Sequence, residues 1–425
     1  YRTQATYFRL QGLDGKYTRL LSDGLPAFGG LESGLSLLQV TPLDLQSIEI
    51  IKGSTSTLYG GGAIAGVINL ISKDPKDDYW SALINRTSVQ ATDLSLYRSD
   101  IIDNFKYYFI LNSNFLEPYD VNHDGEAEIP QGAKYNGSVK MDYQVSENFN
   151  AGLKYNYMND VKRGGDFNAA KEQSPIARKN TSNRNSFALN STYKTEIGIF
   201  RYGAAGTVYR RVMNLIDLTL FDADQRNTFQ ELTYSTGLGR IESVTGISLQ
   251  TEDFKEKGNV FSQPPFGDSA NLKANYHYIT SGIFTQATAS LTEQFSLTTG
   301  LRGEYNNKYK GFLLPRIALL YKPEKSLAFR LSGGLGYKAP EYFTETSEIY
   351  LPNSVYPLDF NALQPEKSMG ASFDVNYRGT VRDDIGYQFN ILSYYSEISN
   401  PIRSYRFPIL HWQYSFRYSH YNGDM

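Results

Sequence analysis

The stretch KYNGSVKMDYQVSENFNAGLKYNY, residues 134–157, decides the fold class of this chain. Apolar and aromatic side chains occupy mostly alternate positions up to Val145, and polar side chains occupy the positions between them. The alternation resumes at Phe149, after the turn at 146–148. Because a period of two places alternate side chains on opposite faces of a strand, this stretch predicts an antiparallel hairpin with one apolar and one polar face.

The same alternation recurs after about residue 79, for example in the runs that begin at Phe295, Leu327 and Ile385. Many of these runs are about 10 to 15 residues long, whereas a tilted membrane strand needs about 9 to 11 and an average strand has about 5 or 6. Strand length therefore favours a transmembrane β-barrel over a soluble β-sandwich.

The expected connections alternate in length along the chain. Short turns are expected near 102–104, 146–148, 196–197, 236–238, 292–294, 323–325 and 380–382. Long polar loops are expected at 117–133, 159–182, 212–226, 251–274 and 338–366. Short turns at one end of the strands and long loops at the other are typical of an outer-membrane barrel.

The composition is compatible with such a barrel and excludes several other functions. The mean hydropathy is −0.43, but 14% of the residues are aromatic, and a barrel combines an apolar outer band with a polar lumen. A net charge of −2 gives no electrostatic case for nucleic-acid binding. The absence of cysteine excludes disulfides and thiolate metal sites. No spacing of Ser, His and carboxylate residues indicates a catalytic site, so we expect no enzyme.

The segment LDLQSIEIIKGSTSTLYGGGAIAGVINLISK, residues 43–73, has a different texture. It combines a short apolar strand, a Gly-Ser-Thr turn, a glycine-rich bend and a second apolar strand. The bend does not match a phosphate-binding loop, because it lacks both the Gly-Lys-Ser/Thr ending and the dinucleotide-binding glycine pattern. From the residues alone it is a tight turn between two buried strands.

This segment resembles the plug domain of TonB-dependent outer-membrane receptors. The matching blocks are Ile48–Gly53, Thr57–Gly60 and Ala65–Lys73, and Gln11 stands where family members usually carry Arg. Later stretches, 315–323, 336–340 and 363–368, resemble the family's barrel strands. The residues that we assign to the core motif of the plug are Glu49, Lys52, Gly53, Tyr59, Gly60, Gly66 and Asn69.

The resemblance implies an all-β-dominated fold in which a small α+β plug lies in the lumen of a transmembrane antiparallel β-barrel. We expect the plug at 1–76 and the barrel at 77–425. Barrels of this family have 22 strands, and about 15 are expected here, with a sixteenth starting near Ser404. The resemblance thus implies that the first half of the plug, the TonB box and several C-terminal strands lie outside this chain.

The function implied is active import across the outer membrane of a Gram-negative bacterium. The implied partners are the TonB energy-transducing complex, acting through an N-terminal segment outside this chain, the lipid bilayer and a small-molecule or metal-chelate substrate. A ferric siderophore or similar iron chelate is the expected cargo. The alternative is a passive porin or an outer-membrane enzyme carried on a barrel.

Two candidate sites follow from the loops. We expect the glycine-rich stretch after Pro26 to be an apical loop that faces the substrate, together with cations from the long loops. These residues are Phe28, Gly29, Gly30, Leu31, Glu32, Ser33, Arg163 and Lys338. Asp120, Asn122 and Asp124 match the start of a calcium loop, although its twelfth position is Gln131 rather than Glu, and a plain polar turn is the alternative. No other cofactor is expected.

Overall fold

The structure is a computed structural model of the chain. It describes residues 9–28, 44–174, 177–215, 218–259, 275–341, 362–381, 385–408 and 416–422. Within these ranges no helix has the length and apolar character needed to cross a bilayer.

A small N-terminal unit, which we call the plug, is formed by residues 9–28 and 44–72. Its elements are β1 (Arg9–Leu10), β2 (Leu13–Asp14), a 3₁₀ turn (Gly15–Tyr17), β3 (Thr18–Ser22), β4 (Leu25–Pro26), β5 (Leu45–Lys52), α1 (Ser56–Tyr59) and β6 (Gly66–Ser72). Four of the strands form a mixed sheet in the order β4-β3-β6-β5, in which β3 and β6 are parallel. Its buried core includes Leu21, Ala63 and Val67.

The rest of the chain is dominated by one antiparallel sheet of fifteen strands, which we call the wall. Its strands are β7 (Tyr79–Arg86), β8 (Thr92–Ile102), β9 (Phe105–Leu116), β10 (Glu126–Ser146), β11 (Phe149–Asp166), β12 (Arg178–Thr195), β13 (Gly198–Leu215), β14 (Leu218–Leu238), β15 (Ile241–Asn259), β16 (Tyr276–Ser290), β17 (Phe295–Asn306), β18 (Lys310–Glu324), β19 (Leu327–Lys338), β20 (Glu366–Val381) and β21 (Ile385–Ser399). Each pairs with its neighbour in sequence. The expected strand count is confirmed.

A short helix and two further strands complete the described elements. They are α2 (Phe167–Lys171), β22 (Ile402–Pro408) and β23 (Phe416–Asn422). The strand expected near Ser404 is β22, but it pairs with β23 and not with β21. In the described residues, the wall therefore ends at β21.

The hairpin formed by residues 134–157 has the predicted register, and its apolar and polar side chains lie on opposite faces as predicted. Lys140 of β10 lies opposite Lys154 of β11, and the strands are joined at residues 147–148. Tyr143 and Leu153 are exposed on the outer face of the wall, whereas Lys154 is buried on the face toward the plug. The apolar side chains therefore point outward, as a lipid-facing surface requires.

The strands extend further into the expected long loops than the sequence indicated. β11 continues to Asp166, and only residues 216–217 separate β13 from β14, so the loop expected at 212–226 is wrong. These extensions carry charges that form cross-strand pairs, such as Arg210 Nη2 with Asp222 Oδ2 at 3.0 Å. This segment was predicted to be a loop because it has polar side chains on both faces. A strand that lies outside the bilayer can be polar on both faces, because it needs no apolar surface.

The wall curves around the plug. The plug contacts Tyr108 of β9, Ala205 of β13 and Glu366 of β20. β9, β13 and β20 are far apart in the order of the fifteen strands. One sheet can bring all three into contact with the plug only if it curves around the plug. The wall thus has an outer face and a lumenal face, and the plug occupies the lumen.

Candidate functional site

An outer cavity lies between the plug and the ends of the wall strands that carry the long loops. Together with the open space at its mouth, it spans about 440 Å³. Its position is set by Asn306 and Lys338, which are the last residues of β17 and β19, and by Gly61 and Gly62 of the plug. Its other lining residues are Arg19, Gln250, Glu252, Tyr278, Thr280, Glu304, Tyr337, Ala339 and Glu341.

The outer cavity presents charges of both signs. Lys338 is 5% exposed, and its Nζ lies 2.8 Å from Glu341 Oε1. Arg19 donates from Nη2 to Gln250 Oε1 at 2.6 Å, while its buried Nε has no hydrogen-bond partner. Such a set of cations and carboxylates is suited to an oxygen-rich polar ligand, because hydrogen bonds to charged groups are the strong ones.

A row of aromatic rings borders the outer cavity. Phe254 and Tyr276 stack with ring centroids 5.3 Å apart, Tyr276 and Tyr278 are 4.8 Å apart, and Tyr278 and Tyr309 are 5.6 Å apart. The Tyr278 hydroxyl also donates to the carbonyl of Pro340 at 3.1 Å. This row is not among the features predicted from the sequence. The two-residue spacing of Tyr276 and Tyr278 on one strand is the signal that could have revealed it.

The glycine-rich bend of the plug closes the floor of the outer cavity. Gly60 has φ of 76°, and a Cβ added there would lie 2.8 Å from Glu304 Oε1. Glu304 is already held by Tyr337, whose hydroxyl donates to Oε2 at 2.6 Å. The Gly62 amide in turn donates to the carbonyl of Tyr337 at 2.8 Å. The absence of side chains therefore lets the plug backbone approach β17 and β19 closely.

The two apolar strands of the motif are adjacent and antiparallel. Gly66 of β6 lies opposite Lys52 of β5, and a Cβ on Gly66 would collide with the carbonyl oxygen of Ile51. The side chain of Asn69 bridges two elements, since it donates to Glu49 Oε2 at 3.1 Å and accepts from the Gly24 amide at 3.0 Å. These contacts make the motif a structural element of the plug.

The other motif residues surround the turn between the strands. The Gly53 amide donates to the carbonyl of Ala65 at 2.9 Å. Tyr59 closes α1 and packs against the core of the plug. Burial raises the pKa of the Tyr59 hydroxyl, and nearby Arg316 opposes this rise.

A polar network holds the plug in the half of the lumen nearer the short turns. Lys154 Nζ lies 3.0 Å from Asp44 Oδ2 and 3.3 Å from Asp23 Oδ2. Asp44 also accepts a short hydrogen bond from the Tyr108 hydroxyl, and Asp23 accepts one from the Ser72 amide at 2.8 Å. Burial raises the pKa of Asp23, but the Lys154 ammonium and the Ser72 hydrogen bonds outweigh it, so the pKa lies below its usual value.

Comparison with known proteins agrees with this arrangement. The family model described as "TonB dependent receptor-like, beta-barrel" matches residues 79–415, and the "TonB-dependent Receptor Plug Domain" model matches residues 1–67. The chain belongs to the TonB-dependent receptor family. The long sheet and the unit inside it are therefore the barrel wall and plug of a TonB-dependent receptor.

The receptor has curated relatives in Vibrio. It is 22% identical over 394 residues to the vitamin B12 transporter BtuB of Vibrio vulnificus, covering 88% of this chain and 59% of the relative. It is 22% identical over 395 residues to the iron-regulated outer membrane virulence protein of Vibrio cholerae, covering 88% of this chain and 57% of the relative. The chain thus spans less than two thirds of these relatives.

A solved structure shares the fold of the receptor. The siderophore receptor PirA from Pseudomonas aeruginosa superposes with a TM-score of 0.74 at 15% identity, covering 100% of this chain and 75% of PirA. At this identity the similarity concerns the fold alone.

The structure separates the residues that the sequence assigned to substrate binding. Phe28 of the receptor is buried against Leu25, Ala205 and Phe229, and Gly29, Gly30, Leu31, Glu32 and Ser33 lie outside the described residues. Lys338 lines the outer cavity. Arg163 lies on the outer face of β11, on the same side as the exposed Leu153, and hydrogen-bonds to Gln131 Oε1 at 3.4 Å. Strand alternation therefore keeps Arg163 away from Lys338.

The candidate calcium loop of the receptor lies between β9 and β10. Asp120 Oδ1 accepts from the His123 amide at 2.6 Å, and Asn122 donates to Asp124 Oδ2 at 3.0 Å. Carboxylate oxygens of Asp120, Asp124 and Glu128 lie within 4.8 Å of one another. Glu128 was not among the predicted ligands. Calcium binding by this loop stays a prediction.

Proposed function

We propose that this protein is an active importer in the outer membrane of a Gram-negative bacterium, driven by the TonB energy-transducing complex, and that its cargo is an iron chelate. The observation that carries the proposal is a plug that lies in the lumen and is held to the wall by polar contacts and apolar packing. A plug in this position obstructs free diffusion, so passage of a cargo requires the plug to move. When the plug moves, the separated charges are rehydrated in the lumen, which offsets part of the cost of breaking these buried pairs.

In this proposal the outer cavity receives the cargo. Iron chelates present negatively charged oxygen atoms, which Lys338 and Arg19 can bind by charge-assisted hydrogen bonds. Tyr278 and the adjacent rings offer flat apolar surface for an aromatic or hydrocarbon part of the chelate. Glu341, which pairs with Lys338, would exchange its ammonium partner for water when the cargo binds.

The floor of the outer cavity links cargo binding to the plug. Arg19 lines the cavity and also donates from Nη1 to the Gly61 carbonyl at 3.2 Å. A ligand that competes for the Arg19 guanidinium would therefore loosen a contact within the glycine-rich bend. Since this bend is held to β19 through Tyr337, the plug can respond to occupancy before TonB acts.

The relatives support the choice of cargo. PirA is a siderophore receptor, and the Vibrio cholerae relative is regulated by iron, whereas the Vibrio vulnificus relative transports vitamin B12. We favour an iron chelate because its anionic oxygen atoms and apolar parts match the cationic and aromatic lining of the outer cavity.

The test is uptake by cells that express the full-length protein. Radioiron supplied as a ferric siderophore should accumulate with saturable kinetics in cells with TonB and should not accumulate in otherwise identical cells without it. Labelled cobalamin and copper serve as competing cargoes. Non-saturable uptake that persists without TonB would identify a passive pore and overturn the proposal.

A pair of variants connects uptake to the outer cavity. Lys338→Gln should weaken chelate binding, while Lys179→Gln removes a lysine from the exposed outer face of β12 and should leave binding unchanged. Equal effects of the two variants would contradict the placement of the cargo in the outer cavity.

A further inference from the structure

A second, inner cavity lies deeper in the lumen, between the plug and strands β10–β13. Together with the open space at its mouth, it spans about 880 Å³. The plug side is formed by residues of β3 and β4, by Phe28 after them, by Asp44 and Leu45 at the start of β5, and by Leu70 of β6. The wall side includes Asn156, Arg184 and Thr207. The inner cavity does not share a wall strand with the outer one.

Arg184 is the unusual residue of the inner cavity. Its Nε is buried and has no hydrogen-bond partner. Among the described residues, no side chain forms a hydrogen bond or an ion pair with its guanidinium. Tyr209, which lies opposite it on β13, donates its own hydroxyl to Ser182 Oγ at 3.1 Å. Arg184 as a whole is half-buried, and its guanidinium stays charged at any physiological pH, so leaving the buried Nε–H without an acceptor is costly.

The other charges of the inner cavity are already paired. Lys154 is the second cation in its lining, and it is neutralised by Asp44 and Asp23. Asp44, the acidic residue of the lining, is occupied by Lys154 and Tyr108. Arg184 is therefore a positive charge without a counterpart in the described lining, so the cavity has a net preference for an anion.

The remaining lining indicates what kind of anion fits. Leu25, Phe28 and Ala205 form an apolar part of the lining, and Asn156 and Thr207 add polar groups to it. A planar guanidinium binds a carboxylate through two parallel hydrogen bonds. The apolar surface and the Arg184 guanidinium in one lining match a small molecule that has an aromatic or hydrocarbon body and a carboxylate group.

We propose that the inner cavity is a binding site for an amphipathic carboxylate, in which Arg184 holds the carboxylate and Phe28 contacts the apolar body. The idea that cargo occupies this second site as it moves inward rests on the function proposed above. As a binding site it depends only on the cavity and on the unpartnered arginine.

The experiment measures binding to the purified full-length protein in detergent, without TonB. The probe is para-fluorobenzoate, followed by fluorine NMR, and its uncharged counterpart is para-fluorobenzamide. The wild-type protein should bind the benzoate and discriminate against the benzamide. Arg184→Gln should weaken benzoate binding by at least about tenfold, since one strong charge-assisted pair is lost.

Three further variants test whether the loss of benzoate binding is specific to the charge of Arg184. Arg184→Lys, which keeps the charge, should bind more tightly than Arg184→Gln and should fold even if the glutamine variant does not. Lys179→Gln should bind the probe as the wild type does, because Lys179 lies on the outer face of the same strand. Lys338→Gln reports on any probe molecule that binds in the outer cavity, because Lys338 lines that cavity.

Equal binding of benzoate and benzamide, or benzoate binding that survives Arg184→Gln, would overturn the proposal. Loss of binding in Lys338→Gln with retention in Arg184→Gln would place the probe in the outer cavity and would also overturn it. Binding that depends on Arg184 in a protein that shows no TonB-dependent uptake would sustain the site while refuting the import function.

Discussion

Lys154 of the wall and Asp44 of the plug form an ion pair with an Nζ–Oδ2 distance of 3.0 Å, and both side chains are 8% exposed. Asp23 shares the same ammonium at 3.3 Å. This contact joins residues that are far apart in sequence, and it ties the start of β5 and the β3–β4 turn to β11. Several expected outcomes can be derived from it.

Replacement of Lys154 by Met should release the plug more easily. The substitution leaves two buried carboxylates without their cation, and breaking a buried pair in this way costs about 3–5 kcal/mol. Urea unfolding of the plug, followed by its protease sensitivity, measures the change. Adding Asp44→Asn to Lys154→Met should recover part of the loss, and a double variant no more stable than the single one would contradict the pairing.

Plug stability should fall at acidic pH through Asp23. Its pKa in the folded protein is below the usual value of about 3.8, so this contribution is complete above pH of about 4 and is lost as the pH falls through the folded pKa. Plug unfolding measured between neutral and strongly acidic pH should show this decline, and Asp23→Asn should remove that component. An Asp23-dependent gain in stability on acidification would contradict the sign.

Gly66→Ala should disrupt the plug far more than Gly24→Ala. Both glycines have positive φ, which costs an alanine roughly 1–3 kcal/mol. A Cβ at Gly24 meets nothing within 4 Å, whereas a Cβ at Gly66 collides with the Ile51 carbonyl. The free energy of plug unfolding for the two variants decides this prediction, and similar losses would show that the β5–β6 contact is not as close as described.

Leu153→Arg should destabilise the wall by roughly 2–4 kcal/mol if Leu153 lies near the bilayer midplane. Leu153 is 41% exposed on the outer face, where it lies opposite Leu189 of β12. The same substitution at Thr181, on the outer face of β12 but beyond the apolar band, should cost about 0–1 kcal/mol. Equilibrium folding into lipid vesicles provides both values. An equal cost at the two positions would argue against a lipid-facing band.

The sequence predicts the local parts of this architecture and misses the parts that depend on distant contacts. The register of the hairpin that pairs Lys140 with Lys154 was accessible because a period of two fixes both faces. The polar ends of β13 and β14 were read as a loop, since charges such as Arg210 are stabilised there by a cross-strand partner. Likewise, no local pattern indicated that Arg163 would lie on the outer face.

The candidate site was harder to predict for the same reason. Lys338 was predicted as a substrate-binding cation because it begins a long polar loop, and the structure places it at the end of β19 instead. Its partner Glu341 was close in sequence, but Arg19 and Glu304 reach the outer cavity only after the wall wraps around the plug. The unpaired state of Arg184 also depends on packing between the plug and the wall, and no sequence pattern encodes it.

The central claim is that import requires the plug to move against the wall, and a covalent link between plug and wall tests it most directly. This chain has no cysteine, so an engineered disulfide within it meets no competing thiol from the same 425 residues. A Cβ on Gly370 would lie 3.9 Å from Cβ of Ser54, which is close to the ideal spacing for a disulfide between plug and wall. Each single cysteine variant serves as the control.

The measurement is TonB-dependent uptake of a ferric siderophore by cells that carry Ser54→Cys and Gly370→Cys in the full-length protein, under oxidising and then reducing conditions. We predict that chelate binding persists in both states, that uptake stops when the disulfide forms, and that reduction restores it. Full uptake with the disulfide intact would contradict the account, because cargo would then pass while this part of the plug stays fixed to the wall.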